Sequence, residues 1–341
     1  MGEGIVLRGA SERNAARCVE WSVVAPRRII PIALSILAAL AAACGQRVPA
    51  AGPLPEVPVP AATTAPLPRW ALTDEVPTPP EDPLEPYRGL GAWVDLFDDA
   101  LWVDPEGTVA GLASRGVRIL FLETGSYRFR GPIKHPADAG RFLEAAHGHG
   151  MQVVAWYVPD FAHLERDLSW SIGTIGFRSP NGHAFDSFAL DIEVTKVADH
   201  AKRAERMLRL SEDLRAFVGP GYPLGAIVPS PLRGEGYWPI LPVDRLAALY
   251  DVILPMAYWT HQASGEAEAY DYIARSVQLT RDAAGRADVP IHMIGGIADP
   301  AGPDEIRGFA RAVTEAELIG ASVYDVATTD EADWAVLAGL R

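Results

Sequence analysis

From residue 87 to the C-terminus, short apolar segments alternate eight times with segments of helical periodicity. The predicted strands are 91–97, 117–123, 152–158, 185–193, 224–228, 252–258, 290–295 and 321–325. Eight strands that alternate with helices over about 255 residues match a (β/α)8 TIM barrel in count and length. The alternative is a doubly wound open sheet. Because no Gly-rich phosphate loop follows any predicted strand, a nucleotide-binding version of that sheet is disfavoured.

The first 86 residues have a different composition and are interpreted as two further segments. Arg27-Arg28 precedes an apolar run from Ile29 to Ala43, which is short for a membrane span. This run ends in small residues before Cys44 and resembles a bacterial lipoprotein signal, so residues 1–44 are predicted to be a leader with Cys44 as the lipidation site. An uncleaved anchor and an ordinary secretory signal are the alternatives.

Residues 45–86 are rich in Pro and Ala and are predicted to form a disordered tether that precedes the barrel domain, 87–341. Each interpretation of the leader places that domain outside the cytoplasm, either lipid-anchored in the cell envelope or secreted. The membrane is therefore expected to be contacted only through the N-terminal segment, and the protein is expected to act as a monomer.

The composition excludes several classes of partner and cofactor. A net charge of −14 without a Lys/Arg cluster argues against a nucleic-acid partner. Cys18 and Cys44 are the two cysteines, and both precede the predicted barrel, which excludes a disulfide framework or a Cys-ligated metal there. No His/Asp/Glu cluster has metal-binding spacing, so no metal and no cofactor are expected.

The predicted fourth strand, Phe185–Glu193, carries two carboxylates on one face. Side chains on a strand alternate between its faces, so Phe188 and its apolar partners at 190 and 192 share one side. Asp191 and Glu193 then share the other side, towards the strand's C-terminal end. Two such carboxylates on a buried strand are costly unless they are paired or used. A structural ion pair with Arg or Lys is the alternative to catalytic use.

Polar and aromatic residues are frequent at the C-terminal ends of the predicted strands, where a barrel of this kind gathers its chemistry. Aromatic rings stack on the apolar faces of sugars, and carboxylates bind hydroxyls and transfer protons. The pattern therefore favours a carbohydrate site, whereas His292 is interpreted as a core histidine. The candidate substrate-binding residues are Asp95, Glu123, Trp156, Tyr157, Trp259, Tyr324 and Asp325.

The fourth strand resembles the pattern of the family 18 glycoside hydrolases, the chitinase-like barrels, which reads Asp-Gly-x-Asp-x-Asp-x-Glu. Here the segment is Asp186-Ser187-Phe188-Ala189-Leu190-Asp191-Ile192-Glu193. The sixth strand adds Met256-Ala257-Tyr258, similar to the family's Met-x-Tyr motif, with Trp259 where the family commonly has Asp. The resemblance covers about residues 90–335 in architecture, with specific matches only on these two strands.

The resemblance implies catalytic roles for three residues. Glu193 would be the general acid that protonates the leaving glycosidic oxygen. Asp191 would orient the substrate's acetamido group, which acts as the nucleophile in the family, and Tyr258 would hydrogen-bond the same group. Ala189, however, replaces the middle Asp, which in the family helps to cycle the charge on the next Asp. Its loss implies either a modified mechanism or an inactive carbohydrate-binding relative.

Two further resemblances remain open at this stage. The short Asp-x-Glu also resembles the family 25 lysozyme-like hydrolases, in which Asp95 would supply the first-strand Asp. The other resemblance is to uncharacterised bacterial barrels with glycoside-hydrolase-like strands. We expect a glycoside hydrolase that acts on a cell-surface or extracellular polysaccharide or glycan. The alternative is a catalytically impaired, glycan-binding lipoprotein of the cell envelope.

Overall fold

The computed structural model describes residues 70–232, 240–260, 262–298 and 301–340. In it, eight parallel strands close into a barrel in the order β10–β2–β3–β4–β6–β7–β8–β9, and β1 pairs antiparallel with β5 outside the barrel. The (β/α)8 prediction is thereby confirmed, and the open sheet is excluded because β10 pairs with both β9 and β2. The strands are β1 (Ala71–Leu72), β2 (Gly89–Val94), β3 (Ile119–Ser126), β4 (Gln152–Val158), β5 (Phe177–Arg178), β6 (Ser187–Asp191), β7 (Leu224–Pro229), β8 (Val252–Ala257), β9 (His292–Ile297) and β10 (Gly320–Tyr324).

Helices surround the barrel, and several begin at a side-chain cap. Asp104 and Asp199 accept hydrogen bonds from backbone N–H groups of the first turns of α2 and α5, which satisfies donors that the helix itself leaves free. The helices are α1 (Asp99–Val103), α2 (Pro105–Ser114), α3 (Pro136–Gly148), α4 (Leu164–Ile175), α5 (His200–Val218), α6 (Val243–Leu249), α7 (Gly265–Ala284), α8 (Pro303–Glu315) and α9 (Glu331–Leu337). Among the described residues, no helix combines the length and the apolar character that a membrane span requires.

The alternation of side chains along each strand divides the apolar residues into two cores. On β6, Phe188 and Leu190 point outward and join the larger core between the barrel and the helices. Ala189 points inward and joins the smaller core inside the barrel. This is the division that the alternating sequence of β6 predicts.

The strand register arranges the inward-facing residues in layers of four, each contributed by alternate strands. The lowest of three successive layers consists of Phe121, Ala189, Leu254 and Ser322. Above it lie Trp93, Trp156, Ile227 and Ile294. The uppermost layer, nearest the C-terminal ends of the strands, consists of Glu123, Asp191, Met256 and Tyr324. Two largely apolar layers, in which Ser322 is the one residue with a hydroxyl group, therefore underlie a layer that contains two carboxyl groups.

Tyr87 fills the opposite, N-terminal end of the barrel. It ends a short 3-10 turn, Glu85–Tyr87, and its hydroxyl lies 2.6 Å from Ser187 Oγ. Its carbonyl oxygen lies 2.9 Å from His292 Nδ1, and His292 Nε2 lies 3.0 Å from Ser322 Oγ. A Cβ atom at Gly320 would lie 2.3 Å from the Tyr87 carbonyl oxygen, so this close approach requires glycine. Burial lowers the pKa of His292 to about 4, consistent with the neutral core histidine predicted from the sequence.

Residues 70–86, which the sequence analysis assigned to the tether, contact the barrel domain. Strand β1 pairs with β5, and Thr73 donates from its backbone N–H and its hydroxyl to the Gly176 carbonyl. The Trp70 ring stacks on Phe177, with their centroids 6.4 Å apart. The compact barrel unit therefore begins before residue 87. Apolar and hydrogen-bonding residues interrupt the Pro-rich stretch, and these residues make the contacts. The predicted leader and Cys44 lie outside the described residues.

Candidate active site

A cavity of about 250 Å³ opens at the C-terminal ends of the barrel strands. Its floor includes the complete uppermost layer of the barrel interior, and loops that follow the strands form its walls. Six residues that the sequence analysis selected line this cavity: Glu123, Trp156, Asp191, Glu193, Tyr258 and Tyr324. The strand alternation and the closure of the barrel thus bring these residues together from β3, β4, β6, β8 and β10 or the residues that follow them.

Asp191 is a buried carboxylate without a partner among the described residues. It ends β6 with 6% of its surface exposed, and its Oδ1 atom accepts no hydrogen bond from the part of the chain that the structure describes. Burial raises the pKa of Asp191 well above its usual value, and the negative charges of Glu193 and Glu123 raise it further. A buried acceptor left without a donor is rare in folded proteins and indicates a group that is available to a ligand.

Glu193 lies two residues beyond Asp191 and reaches solvent at the mouth of the cavity. Partial enclosure of its carboxyl by the cavity walls raises the pKa of Glu193, while the positive charge of Arg128 acts in the opposite direction. Arg128 is exposed at the same mouth and forms no ion pair with Glu193, since its guanidinium donates to the hydroxyl of Tyr127 over 3.3 Å. Glu193 is therefore a carboxyl group that retains its proton more readily than a free glutamate.

Glu123 is the second carboxyl group of the uppermost layer. Only 2% of its surface is exposed, and its Oε2 accepts a hydrogen bond of 2.9 Å from the Leu96 backbone N–H. Burial raises the pKa of Glu123 to about 7, although the Leu96 N–H opposes this shift, and the nearby Asp95 charge contributes to it.

Two aromatic hydroxyls lie beside these carboxyl groups. Burial and the charges of Asp191, Glu193 and Asp325 raise the pKa of the Tyr258 hydroxyl well above its usual value, so that this group remains a proton donor. The Tyr324 hydroxyl donates a hydrogen bond of 2.6 Å to Asp95 Oδ2. The Tyr258 and Tyr324 rings are 6.1 Å apart and together form one wall of the cavity.

Asp95 and Asp325 do not line the cavity but lie directly behind Tyr324. Together with Asp98 they form a group whose carboxylate oxygens all lie within 4.8 Å of one another. Carboxylate oxygens are the ligands that Ca²⁺ and Mg²⁺ prefer, so this group could hold such a cation, which the sequence spacing did not predict. Burial raises the pKa of Asp98 to about 7, and the charges of Asp95 and Asp325 contribute to the shift.

Two predicted substrate-binding residues lie elsewhere, and the prediction for them is corrected. Tyr157 is fully buried on the outside of β4, where its hydroxyl donates to Asp167 Oδ1 over 2.9 Å. Trp259 is fully buried between the barrel and α8, and its ring stacks on Phe309 with a centroid distance of 5.2 Å. Each directly follows an inward-facing residue and therefore points to the opposite side of the barrel wall.

Phe97 and Arg128 line the cavity but were not selected from the sequence. The Phe97 side chain is 64% exposed, with its ring centroid 6.2 Å from that of Phe129. The sequence places Phe97 within the first predicted strand, but β2 ends at Val94 because Asp95 Oδ1 accepts from the N–H groups of Phe97 and Asp98 and turns the chain. The exposed ring of Phe97 therefore lies at the edge of the cavity, where a ligand in the cavity can contact it.

No family model and no curated protein sequence matches the chain. Solved structures match its fold. The spore cortex-lytic enzyme SleL of Bacillus cereus aligns with a TM-score of 0.54 and 9% identity over 73% of each chain. The endo-β-1,4-mannanase of Thermotoga petrophila aligns with a TM-score of 0.57 and 11% identity, and the alignment covers 74% of this chain and 76% of the mannanase. A class V chitinase mutant of Cycas revoluta in complex with (GlcNAc)3 aligns with a TM-score of 0.54 and 12% identity, and the alignment covers 74% of this chain and 99% of the chitinase. Identities this low show a shared barrel fold.

We expect Asp98→Asn to reduce the pH dependence of folding stability. The pKa of Asp98 is about 7 in the folded protein, compared with about 4 in an unfolded chain. Its contribution to stability is therefore complete below about pH 4 and is lost as the pH rises towards about 7, because the folded state binds more protons in that interval. The asparagine variant avoids this loss, so its free energy of unfolding should rise relative to wild type as the pH increases.

Urea unfolding between about pH 5 and pH 8 measures this difference. Glu205→Gln, at an exposed position of α5, is the control and should follow the wild-type slope. A wild-type slope in Asp98→Asn would contradict the assignment.

Proposed function

We propose that this protein is a glycoside hydrolase that acts on a cell-surface or extracellular polysaccharide containing N-acetylated sugars, with Glu193 as general acid/base and Asp191 as its assisting carboxylate. The observation that carries the proposal is the pair itself. Asp191 is buried with an unpartnered Oδ1, Glu193 lines the same cavity, and the pKa of each is raised. Titratable groups perturbed by burial and by each other within one cleft are typical of active sites.

The acid role suits Glu193 because a general acid must hold a proton at the working pH and reach the leaving group. Its raised pKa meets the first requirement, and its position at the mouth of the cavity meets the second. Asp191, deeper in the cavity, is less suited to deliver a proton to a leaving group that departs towards solvent. The carboxylates therefore differ in role because they differ in depth.

The proposed N-acetylated substrate follows from the buried polar atoms around Asp191. Within the described ranges, Asp191 Oδ1 lacks a donor, and the indole Nε1–H of Trp156 lacks an acceptor. Both residues line the cavity, together with the Tyr258 hydroxyl donor. An acetamido group supplies one N–H donor and one carbonyl acceptor, which would satisfy this set. Substrate-assisted hydrolases use that group in place of a second catalytic carboxylate.

In the proposed reaction, Glu193 gives its proton to the glycosidic oxygen while the acetamido oxygen attacks the anomeric carbon. The bond to the leaving sugar breaks, and a positively charged cyclic intermediate forms. The Asp191 carboxylate accepts the acetamido N–H and stabilises the positive charge. Glu193 then takes a proton from water, whose oxygen attacks the anomeric carbon and reopens the ring, so that the acid is restored.

The structural neighbours support this class of substrate. The chitinase of Cycas revoluta was determined with (GlcNAc)3 bound, and SleL of Bacillus cereus is named as a spore cortex-lytic enzyme. Ala189 is the observation that favours a second candidate, a catalytically impaired glycan-binding protein. It is fully buried on the inward face of β6, two residues before Asp191 and two layers below it, where the family 18 pattern has Asp.

Glu193→Gln is expected to lower kcat by about 10²–10⁴-fold, because the amide cannot donate the proton. Hydrolysis should be measured on a panel of chitooligosaccharides, peptidoglycan and mannan, and binding by calorimetry, which should persist. Glu205→Gln on the exposed face of α5 is the matched control. Wild-type rates in Glu193→Gln would refute the acid assignment. A wild-type protein that binds these glycans and hydrolyses none would favour the glycan-binding candidate.

Phe97→Ala is expected to raise KM for oligosaccharides by roughly three- to tenfold, equivalent to about 0.7–1.4 kcal/mol, with a smaller change in kcat. The exposed ring at the cavity mouth offers a flat apolar face to a sugar that extends beyond the reacting bond. Val103→Ala is the control, since Val103 is 77% exposed and does not line the cavity. If both variants change KM equally, the ring has no specific binding role.

The proposed location is extracytoplasmic, with the protein held at the cell envelope through a lipid on Cys44. This proposal rests on the basic and apolar leader of the sequence. Labelled palmitate should enter the wild-type protein and the Cys18→Ala variant, but not Cys44→Ala, which should move to the soluble fraction. Equal labelling of the two cysteine variants would contradict the assignment.

A further inference from the structure

The loop that follows β3, residues 127–134, forms one side of the cavity mouth and is strongly basic. It carries Arg128, Arg130 and Lys134 and contains no Asp or Glu. Tyr127 and Arg128 line the cavity themselves. The whole chain has a net charge of −14, so a loop with three positive and no negative side chains differs sharply from its surroundings.

The three positive groups of this loop form no ion pair with any carboxylate of the described residues. Arg128 donates from Nε to the Tyr127 hydroxyl over 3.3 Å, and its two terminal nitrogens have no partner within the same ranges. Lys134 Nζ donates to a backbone carbonyl over 3.3 Å, and Arg130 is exposed. Arg141, by comparison, is also exposed but contacts two carboxylates. The positive charges beside the cavity are therefore available to an anion that enters it.

Aromatic rings position two of these groups. Lys134 Nζ lies 4.4 Å from the centroid of the Phe129 ring, and Arg128 Cζ lies 5.5 Å from that of Tyr127. Both distances are within the range of about 6 Å over which the face of a ring attracts a cation. The Phe129 ring lies 6.2 Å from the exposed ring of Phe97, which lines the cavity. Positive groups and flat apolar rings thus lie side by side along this part of the mouth.

The charge of Arg128 is not explained by the acid role of Glu193. The positive charge of Arg128 lowers the pKa of Glu193 and so works against the retention of the proton. A counterion for Glu193 would contact its carboxylate, but the two residues form no ion pair, and the guanidinium is held by Tyr127 instead. An anionic group on the ligand accounts for an arginine at this place.

We propose that residues 127–134 form a subsite for a sugar that bears a carboxylate, so that the substrate is an acidic glycan in which this sugar adjoins the N-acetylated one. The inference rests on the glycan site proposed above. Arg128 binds the carboxylate through the fork of its terminal nitrogens, a geometry that matches the two carboxylate oxygens. Arg130 and Lys134 add positive charge, and Phe97 supports the apolar face of the sugar ring. Uronic acids and lactyl ethers of amino sugars are the two sources of such a carboxylate.

The negative net charge of the chain is compatible with an acidic ligand at this loop. Charges more than about 8 Å apart are largely screened at physiological salt, so a carboxylate beside Arg128 interacts with the positive groups around it rather than with the distant acidic surface. Glu193 bears no negative charge while it acts as the acid, so it adds no repulsion at that stage. The acidic surface elsewhere disfavours binding of an anion away from the loop, which favours the correct placement of the ligand.

The test compares kcat/KM for acidic and neutral oligosaccharides of equal length. The acidic ones are hyaluronan fragments, which carry a uronic acid, and peptide-free peptidoglycan strands, which carry a lactyl ether; chitooligosaccharides are neutral. Wild type should prefer one acidic set by about fivefold or more, and the preferred set identifies the source of the carboxylate. Arg128→Gln should abolish the preference, and Arg128→Lys should keep part of it, because the charge remains while the fork is lost.

Arg275→Gln, at an exposed position of α7, is the control and should keep the wild-type preference. The ratio of the two kcat/KM values is unaffected by a general loss of activity, so it separates substrate selection from damage to the site. A wild-type ratio near one, or a ratio that Arg128→Gln leaves unchanged, overturns the proposal.

Calorimetry with Glu193→Gln measures binding without turnover. Affinity for the acidic oligosaccharide should fall as salt is raised, affinity for the chitooligosaccharide should change little, and adding Arg128→Gln should remove the difference. If acidic glycans bind in this way and wild type hydrolyses no glycan, the hydrolase function fails and the subsite stands. If wild type hydrolyses chitooligosaccharides and acidic glycans bind no better, the subsite fails and the hydrolase function stands.

Discussion

The narrow interior of a closed eight-stranded barrel is the constraint on which the site depends. Four inward-facing side chains fill each layer, so every residue in a layer determines the surroundings of the other three. Two largely apolar layers, one with Phe121 and one with Trp93, fill the middle of the barrel. Asp191 and Glu123 lie where these layers end, above side chains that are themselves buried. The elevated pKa values of these carboxyl groups follow from that position, because the apolar layers below cannot solvate a charge.

Two buried carboxylates, Asp160 and Asp191, differ in whether they have charged partners. Asp160, fully buried after β4, is in contact with the ammonium group of Lys196, the guanidinium group of Arg166 and the imidazole of His163. Burial works against its ionised form, yet these partners hold the pKa of Asp160 well below its usual range. Asp191 has no such partner among the described residues. Asp160 therefore fixes the loops around the barrel as a stable anion, whereas Asp191 keeps an unmet hydrogen-bonding requirement that a ligand can meet.

Residue periodicity predicted the barrel and most of its cavity, because both depend on alternation along single strands. The inward direction of Asp191 and the place of Glu123 near a strand end follow from that alternation, and the structure shows both residues in the cavity. Tyr157 and Trp259 were expected in the cavity because they are aromatic. Each directly follows an inward-facing residue, however, and therefore points outward. The exposure of Phe97 depends on a local turn made by the Asp95 side chain, which the sequence analysis did not recognise. The approach of Asp98 to Asp325 joins the loops after the first and last strands of the barrel, so it depends on closure of the barrel and leaves no local pattern.

The side-chain layers in the middle of the barrel, with Tyr87 below them, close the cavity at its lower end. Tyr87 occupies the N-terminal end with its hydroxyl against Ser187 and its carbonyl against His292. Water, protons and any molecule that reaches Asp191 must consequently enter and leave by the same mouth. A long polymer has no exit on the far side and cannot thread through the barrel. It has to lie across the rim or present a chain end, and a bound fragment in the cavity blocks its own replacement until it departs.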